Sequence, residues 1–158
     1  PPESAAPPSP APSLFRVYLE DVPLMVPGVE RYTPRVPELT IRFLDWLDNH
    51  KSTATFFVVG DVARAYPDLV REIARRGHEI ACHSNRHVPL DQQTPDEFRR
   101  DVEEAVAAIT ACDSGPVRGY RAPTYSLTNS TSWAPDLVAG LGFTYSSSIL
   151  PEKNPPYS

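Results

Sequence analysis

The spacing of apolar residues changes period several times along the chain, and each change marks an element. Residues 1–13, PPESAAPPSPAPS, carry no apolar face and read as a flexible, polyproline II-like linker. Residues 14–19 are short and rich in β-formers, as a strand is. Thr33-Pro34, a capping residue followed by proline, predicts a helix start, and Leu39, Phe43 and Leu47 then recur at i+4 spacing. Residues 53–59, TATFFVV, form a continuous apolar run, which suits a strand covered on both faces. Residues 67–76 predict a short helix stopped by Gly77, and residues 79–82 predict the next strand. Thr94-Pro95-Asp96-Glu97 is a capping box, and the helix it opens carries Phe98, Val102, Ala105, Val106 and Ile109 on one stripe. Residues 117–121 and 143–147 read as strands. Between them, residues 128–141 predict a weaker helix that Pro135 should break or kink.

This alternation of strands and helices predicts an α/β fold with parallel strands, either an open sheet or a (β/α) barrel. A chain of 158 residues can bury one real core, so residues 14–158 read as one domain. The net charge of -5 argues against a nucleic-acid partner, and no apolar run approaches the ~20 residues of a membrane-spanning helix. Two cysteines are too few for a disulfide scaffold, so Cys82 and Cys112 are expected to be buried free thiols.

In parallel α/β folds, chemistry gathers at the C-terminal ends of strands. Three predicted strand ends carry reactive side chains. The first ends in Glu20-Asp21. The 79–82 strand delivers His83, with His87 four residues on. The 117–121 strand ends in Arg121-Ala122-Pro123-Thr124-Tyr125. A His-x-x-x-His pair alone is a modest signal, adjacent acids are usually a solvated turn, and a lone arginine is usually a surface residue. Together, two imidazoles and one carboxylate make an open metal site, with positions left for water and substrate. A further carboxylate can act as base, and a nearby arginine can keep it ionised. His50 and His78 read as structural or solvent-facing, and Trp46 and Trp133 as packing residues.

These segments resemble the polysaccharide deacetylases of the NodB-homology type, carbohydrate esterase family 4, and within it the bacterial exopolysaccharide-associated branch. The run from Ala54 to Gly60 resembles the family's ATFF strand. Gly77-His78-Glu79-Ile80-Ala81-Cys82-His83 and Arg118-Gly119-Tyr120-Arg121-Ala122-Pro123 resemble its histidine and arginine motifs. The resemblance implies a distorted (β/α) barrel and hydrolysis of N-acetyl groups on a hexosamine-containing polysaccharide. It implies Glu20 as base, Asp21, His83 and His87 as ligands of a divalent ion, expected to be zinc, and Arg121 as support for the base. The Thr124 backbone N–H is expected in the oxyanion hole, with Pro123 and Tyr125 lining the groove. An N-acetylated polymer is the expected partner, and an exported or cell-envelope location is expected, with a cytoplasmic one as the alternative.

The chain departs from the family pattern in three ways. Glu20 stands where an aspartate is usual. Ser146 stands where the branch commonly has an aspartate that could pair with Arg121, so Arg121 is expected to lack that partner. No histidine follows His87, although the family's last motif supplies one as general acid. The barrel is therefore expected to be incomplete, with its remaining part missing or supplied by another chain. A glycan-binding relative with weak or no turnover, a metal-dependent amidase for small non-sugar amides, and a purely structural module are the rival readings.

Overall fold

The structure, a computed structural model, describes residues 15–25, 28–29 and 33–149; the linker read over residues 1–13 lies outside them. Five strands, β1 (Phe15–Leu19), β2 (Ala54–Val58), β3 (Glu79–Cys82), β4 (Gly119–Tyr120) and β5 (Tyr145–Ser146), form one parallel sheet in chain order. The sheet is unclosed among the described residues, so β1 and β5 are its two edges. This is the incomplete barrel expected from the sequence. β2 is buried along its whole length, which is why its sequence is apolar without alternation.

Register puts Leu19, Val58, Cys82, Tyr120 and Ser146 in one row across the sheet. The residues one step further, Glu20, Val59, His83, Arg121 and Ser147, therefore form the C-terminal rim. Side chains alternate between faces along a strand. Cys82 and Tyr120 enter the helix-covered core, where Tyr120 meets Phe98 and Phe143 at ring distances of 5.7 and 5.6 Å. Tyr18, Phe57 and the rim residues His83 and Arg121 take the opposite face.

Among the described residues, six helices pack around the sheet: α1 (Val22–Met25), α2 (Val36–Asn49), α3 (Gly60–Ala65), α4 (Pro67–Arg75), α5 (Pro95–Thr110) and α6 (Ala134–Gly140). The capping box of α5 forms as its sequence predicts: Thr94 Oγ1 accepts from the Glu97 N–H at 3.3 Å, and Glu97 Oε2 accepts from the Thr94 N–H at 2.8 Å. Two helix starts differ from expectation. The proline in the first turn of α2 is Pro37 rather than Pro34, because the helix begins at Val36. The 128–141 segment divides into a 3-10 turn, Asn129–Thr131, and α6, so Pro135 lies in a first turn. There its missing N–H removes no internal hydrogen bond, and nothing is broken or kinked. Cys82 and Cys112 are free and buried. His50 lies at the C-terminus of α2, where Nδ1 meets the Trp46 carbonyl at 2.7 Å and the two rings stack. His78 is buried, and its Nδ1 accepts from the Ala54 N–H at 3.3 Å.

The helix α3, not anticipated from the sequence, starts immediately after β2 at a glycine that cannot be enlarged. A Cβ on Gly60 would overlap Asn85 Oδ1 and come within 3.0 Å of Ala105 Cα. Gly60→Ala should destabilise the protein by roughly 1–3 kcal/mol, the usual penalty of overpacking. Urea unfolding measures this, and an unchanged midpoint would show that Asn85 moves aside freely.

Candidate metal centre

The strand β3 ends with His83, which is 1 % exposed. Its backbone N–H donates to Val58 at 2.9 Å, and the next strand's Arg121 N–H donates to Cys82 at 2.9 Å, so both residues are still held by sheet bonding. The imidazole is fixed too: Nδ1 lies 2.8 Å from the Arg121 carbonyl oxygen. A carbonyl can only accept, so Nδ1 carries the proton and donates it. In the neutral ring that leaves Nε2 as a lone pair aimed at the cleft.

Glu20 meets this nitrogen from β1. Its Oε1 lies 2.9 Å from His83 Nε2 and 3.2 Å from His87 Nε2. The three ligand atoms lie within 4.8 Å of one another, the one such group of three among the described residues. With both rings protonated, hydrogen bonds from His83 and then His87 hold the Glu20 carboxyl down at about 2, against an ordinary 4.5, so it is ionised. A carboxylate and two imidazole lone pairs all accept, and their convergence requires protons or a cation among them. The donor set, one oxygen and two nitrogens with one imidazole locked through its far nitrogen, fits a divalent metal ion.

The loop between the histidines is tightly turned. Ser84 and His87 have φ of 64° and 58°, in the left-handed region that side chains disfavour. Ser84 Oγ accepts the His87 N–H at 2.9 Å, which pins the second histidine one turn beyond the first. Across the cleft, Thr124 and Tyr125 have φ of 51° and 52°. Such conformations concentrate at functional sites because the surrounding structure must enforce them. Here Ser126 Oγ does so, donating to the Pro123 carbonyl at 2.7 Å and accepting the Leu90 N–H at 2.9 Å.

The structure thus brings together Glu20, His83, His87, Thr124 and Tyr125, which line an open cleft of about 370 Å³. Asp21 does not join them. It is 3 % exposed, and its Oδ2 accepts from the Tyr66 hydroxyl at 2.7 Å, a bond that pushes the phenol up to about 12. Glu20, expected as the base, is the acid that meets both histidines. Arg121 has not lost its polar partners: Nε donates to the Ser147 carbonyl at 2.8 Å and a second nitrogen donates to Ser147 Oγ. Its guanidinium also lies over the Phe57 ring, 4.2 Å from the centroid. Ser146 bonds to Ser148 instead, at 2.7 Å.

Two residues of the site were not anticipated. Tyr66 holds Asp21. Tyr18 lines the cleft, its ring 5.2 Å from that of His83 and its hydroxyl bonded to the Tyr125 hydroxyl. Tyr18 was detectable, since it lies two residues before Glu20 and a strand repeats its faces every two residues.

An open parallel α/β sheet with a carboxylate and two histidines meeting at its C-terminal end defines an α/β protein with a candidate metal centre. Comparison with known proteins gives the family. The family model described as "Polysaccharide deacetylase" matches residues 27–145, so the chain belongs to that family. It is 41% identical over 88 residues to a chitooligosaccharide deacetylase of Sinorhizobium fredii, covering 55% of this chain and 41% of that one. It is 31% identical over 134 residues to a chitooligosaccharide deacetylase of Rhizobium leguminosarum bv. trifolii, covering 80% of this chain and 61% of that one. The fold matches the crystal structure of a Mycobacterium smegmatis protein provisionally named a polysaccharide deacetylase, with a TM-score of 0.76 and 27% identity over 93% of this chain and 56% of that one. The chain spans about half the length of the curated relatives it matches. The match to the family model begins after Glu20 and Asp21.

The Glu20 carboxyl supplies a direct check of the geometry. Its pKa is depressed on folding, so its contribution to stability is present above the ordinary 4.5 and is lost as the pH falls toward about 2. In metal-free protein, the side-chain carboxyl carbon of Glu20, followed by NMR, should titrate near 2, and in the His83→Ala, His87→Ala double variant it should move back up toward 4.5. An identical titration in both proteins would show that the histidines do not hold the carboxylate.

Proposed function

We propose that this chain carries the metal-binding part of an N-deacetylase acting on an N-acetylated hexosamine oligomer or polymer, with Glu20, His83 and His87 around a divalent ion, zinc by preference. The observation that carries this reading is the meeting of Glu20 Oε1 with both imidazole Nε2 atoms in an open cleft of a polysaccharide deacetylase fold. The relatives named as chitooligosaccharide deacetylases support the substrate class. An exported or cell-envelope location belongs to the same proposal.

The ion would supply Lewis acidity, polarising an acetamido carbonyl and lowering the pKa of water. The chain's own residues orient the ligands and would line the substrate site. The Arg121 carbonyl orients His83, and the Arg121 side chain ties β4 to the segment after β5. The Thr124 backbone N–H is the proposed oxyanion donor, a contribution typically worth a few kcal/mol. Tyr125 and Tyr18 form the wall against which a sugar ring would lie, whereas Pro123, expected to line the groove, is buried and does not line the cleft. Acetate and a free amine would be the products.

One observation favours a second reading, a relative that binds glycan with weak or no turnover. Among the described residues lining the cleft, Glu20 is the single carboxylate, and it already faces both histidines. As a metal ligand it is not free to act as the base, and Asp21 is bonded to Tyr66. Incubation with zinc and N-acetylglucosamine oligomers, followed by an acetate assay, separates the readings. Deacetylase function predicts acetate release that His83→Ala abolishes, along with most of the bound metal. Oligomer binding without acetate release would establish the second reading instead.

A further inference from the structure

The loop that joins the two histidines is held from beneath by groups that do not line the cleft. Asn85, midway between His83 and His87, is its anchor. The Asn85 carbonyl accepts the Asp61 N–H and the Ser84 carbonyl accepts the Gly60 N–H, both at 3.0 Å, at the start of α3. The Asn85 side chain donates to Glu104 Oε2 at 2.8 Å and accepts from the Arg64 guanidinium. Its backbone N–H donates to Asp101 Oδ2 at 2.8 Å.

Asp101 is the unusual member of this set. It lies on the buried face of α5 among Phe98, Val102 and Ala105, and it is 3 % exposed. One oxygen holds Asn85. The other has no hydrogen-bond partner among the described residues, and Arg86 approaches it only to 3.9 Å. Burying a carboxylate with one oxygen unbonded is costly. An apolar residue here would suit the helix stripe better, so the stability of α5 does not explain the choice. What Asp101 does contribute is a fixed acceptor for the one backbone N–H equidistant in sequence from both histidines.

We propose that Asp101 is a positioning residue for the metal centre, setting the separation of His83 and His87 through the Asn85 backbone. The proposal rests on the reading of Glu20, His83 and His87 as a metal site. Groups that orient ligands without touching the ion typically change metal affinity by about 10- to 100-fold when removed.

The test is Zn²⁺ affinity by chelator competition, with thermal unfolding measured on the same samples. Asp101→Leu keeps the volume and removes the acceptor, and it should bind Zn²⁺ about 10- to 100-fold more weakly. Asp101→Ala gives the same readout should the leucine variant not fold. Asp101→Asn keeps an acceptor for Asn85 and should stay close to the wild type. Val102→Ala, a cavity in the same helix, should lower stability and leave Zn²⁺ affinity unchanged. Wild-type affinity in Asp101→Leu or Asp101→Ala would overturn the proposal, and so would an equal loss in Val102→Ala. Absence of Zn²⁺ binding by the wild type would instead sink the metal-site reading, and this proposal with it.

Discussion

The hydrogen bond from His83 Nδ1 to the Arg121 carbonyl is the constraint on which the site depends. It joins the rims of two neighbouring strands, and both ends are already fixed by sheet bonding. Because the carbonyl can only accept, the bond decides which imidazole nitrogen faces the cleft. Glu20 and His87 then converge on that nitrogen. Remove the bond and the ring is free to turn, although every other rim residue stays in place. Metal-binding histidines commonly fix their far nitrogen in this way, since a ring held at one orientation presents its lone pair without further ordering.

Around this bond the molecule divides into rigid and strained parts. The sheet and α5 are buried and regularly bonded, and they present His83 and Arg121 at set positions. The rim loops carry the left-handed residues Ser84, His87, Thr124 and Tyr125. Local side chains hold two of these places, Ser84 at His87 and Ser126 at the turn after Pro123. Among the described residues the same sheet is unclosed at β1 and β5, and Tyr18 and Tyr145 on its strands are exposed.

Much of this was legible in the sequence because the signals are local. The apolar run 53–59 located β2, the Gly77 stop separated α4 from β3, and the Thr94 capping box located α5. His83 and Arg121 followed as strand-end residues. What escaped depends on register, which is not local. Glu20 and Asp21 are neighbours, yet opposite side-chain directions send one to the histidines and the other to Tyr66. Only the alignment of Leu19 with Val58 and Cys82 decides which goes where. The partner of Arg121 likewise depends on where β5 pairs with β4, which brings Ser147 rather than residue 146 to the guanidinium. Pro135 was misread because its effect depends on where the helix begins. Asp101 was visible as a charge on the Phe98, Val102 and Ala105 stripe, although its partner, a backbone N–H on a distant loop, was not.

The most direct measurement is anomalous X-ray diffraction at the zinc edge from crystals equilibrated with Zn²⁺. The account predicts one strong peak bonded to His83 Nε2, His87 Nε2 and the Glu20 carboxylate, with Zn–N distances of about 2.0–2.1 Å. No peak at that point, or an ion held by Asp21 with Glu20 turned away from it, would contradict the account.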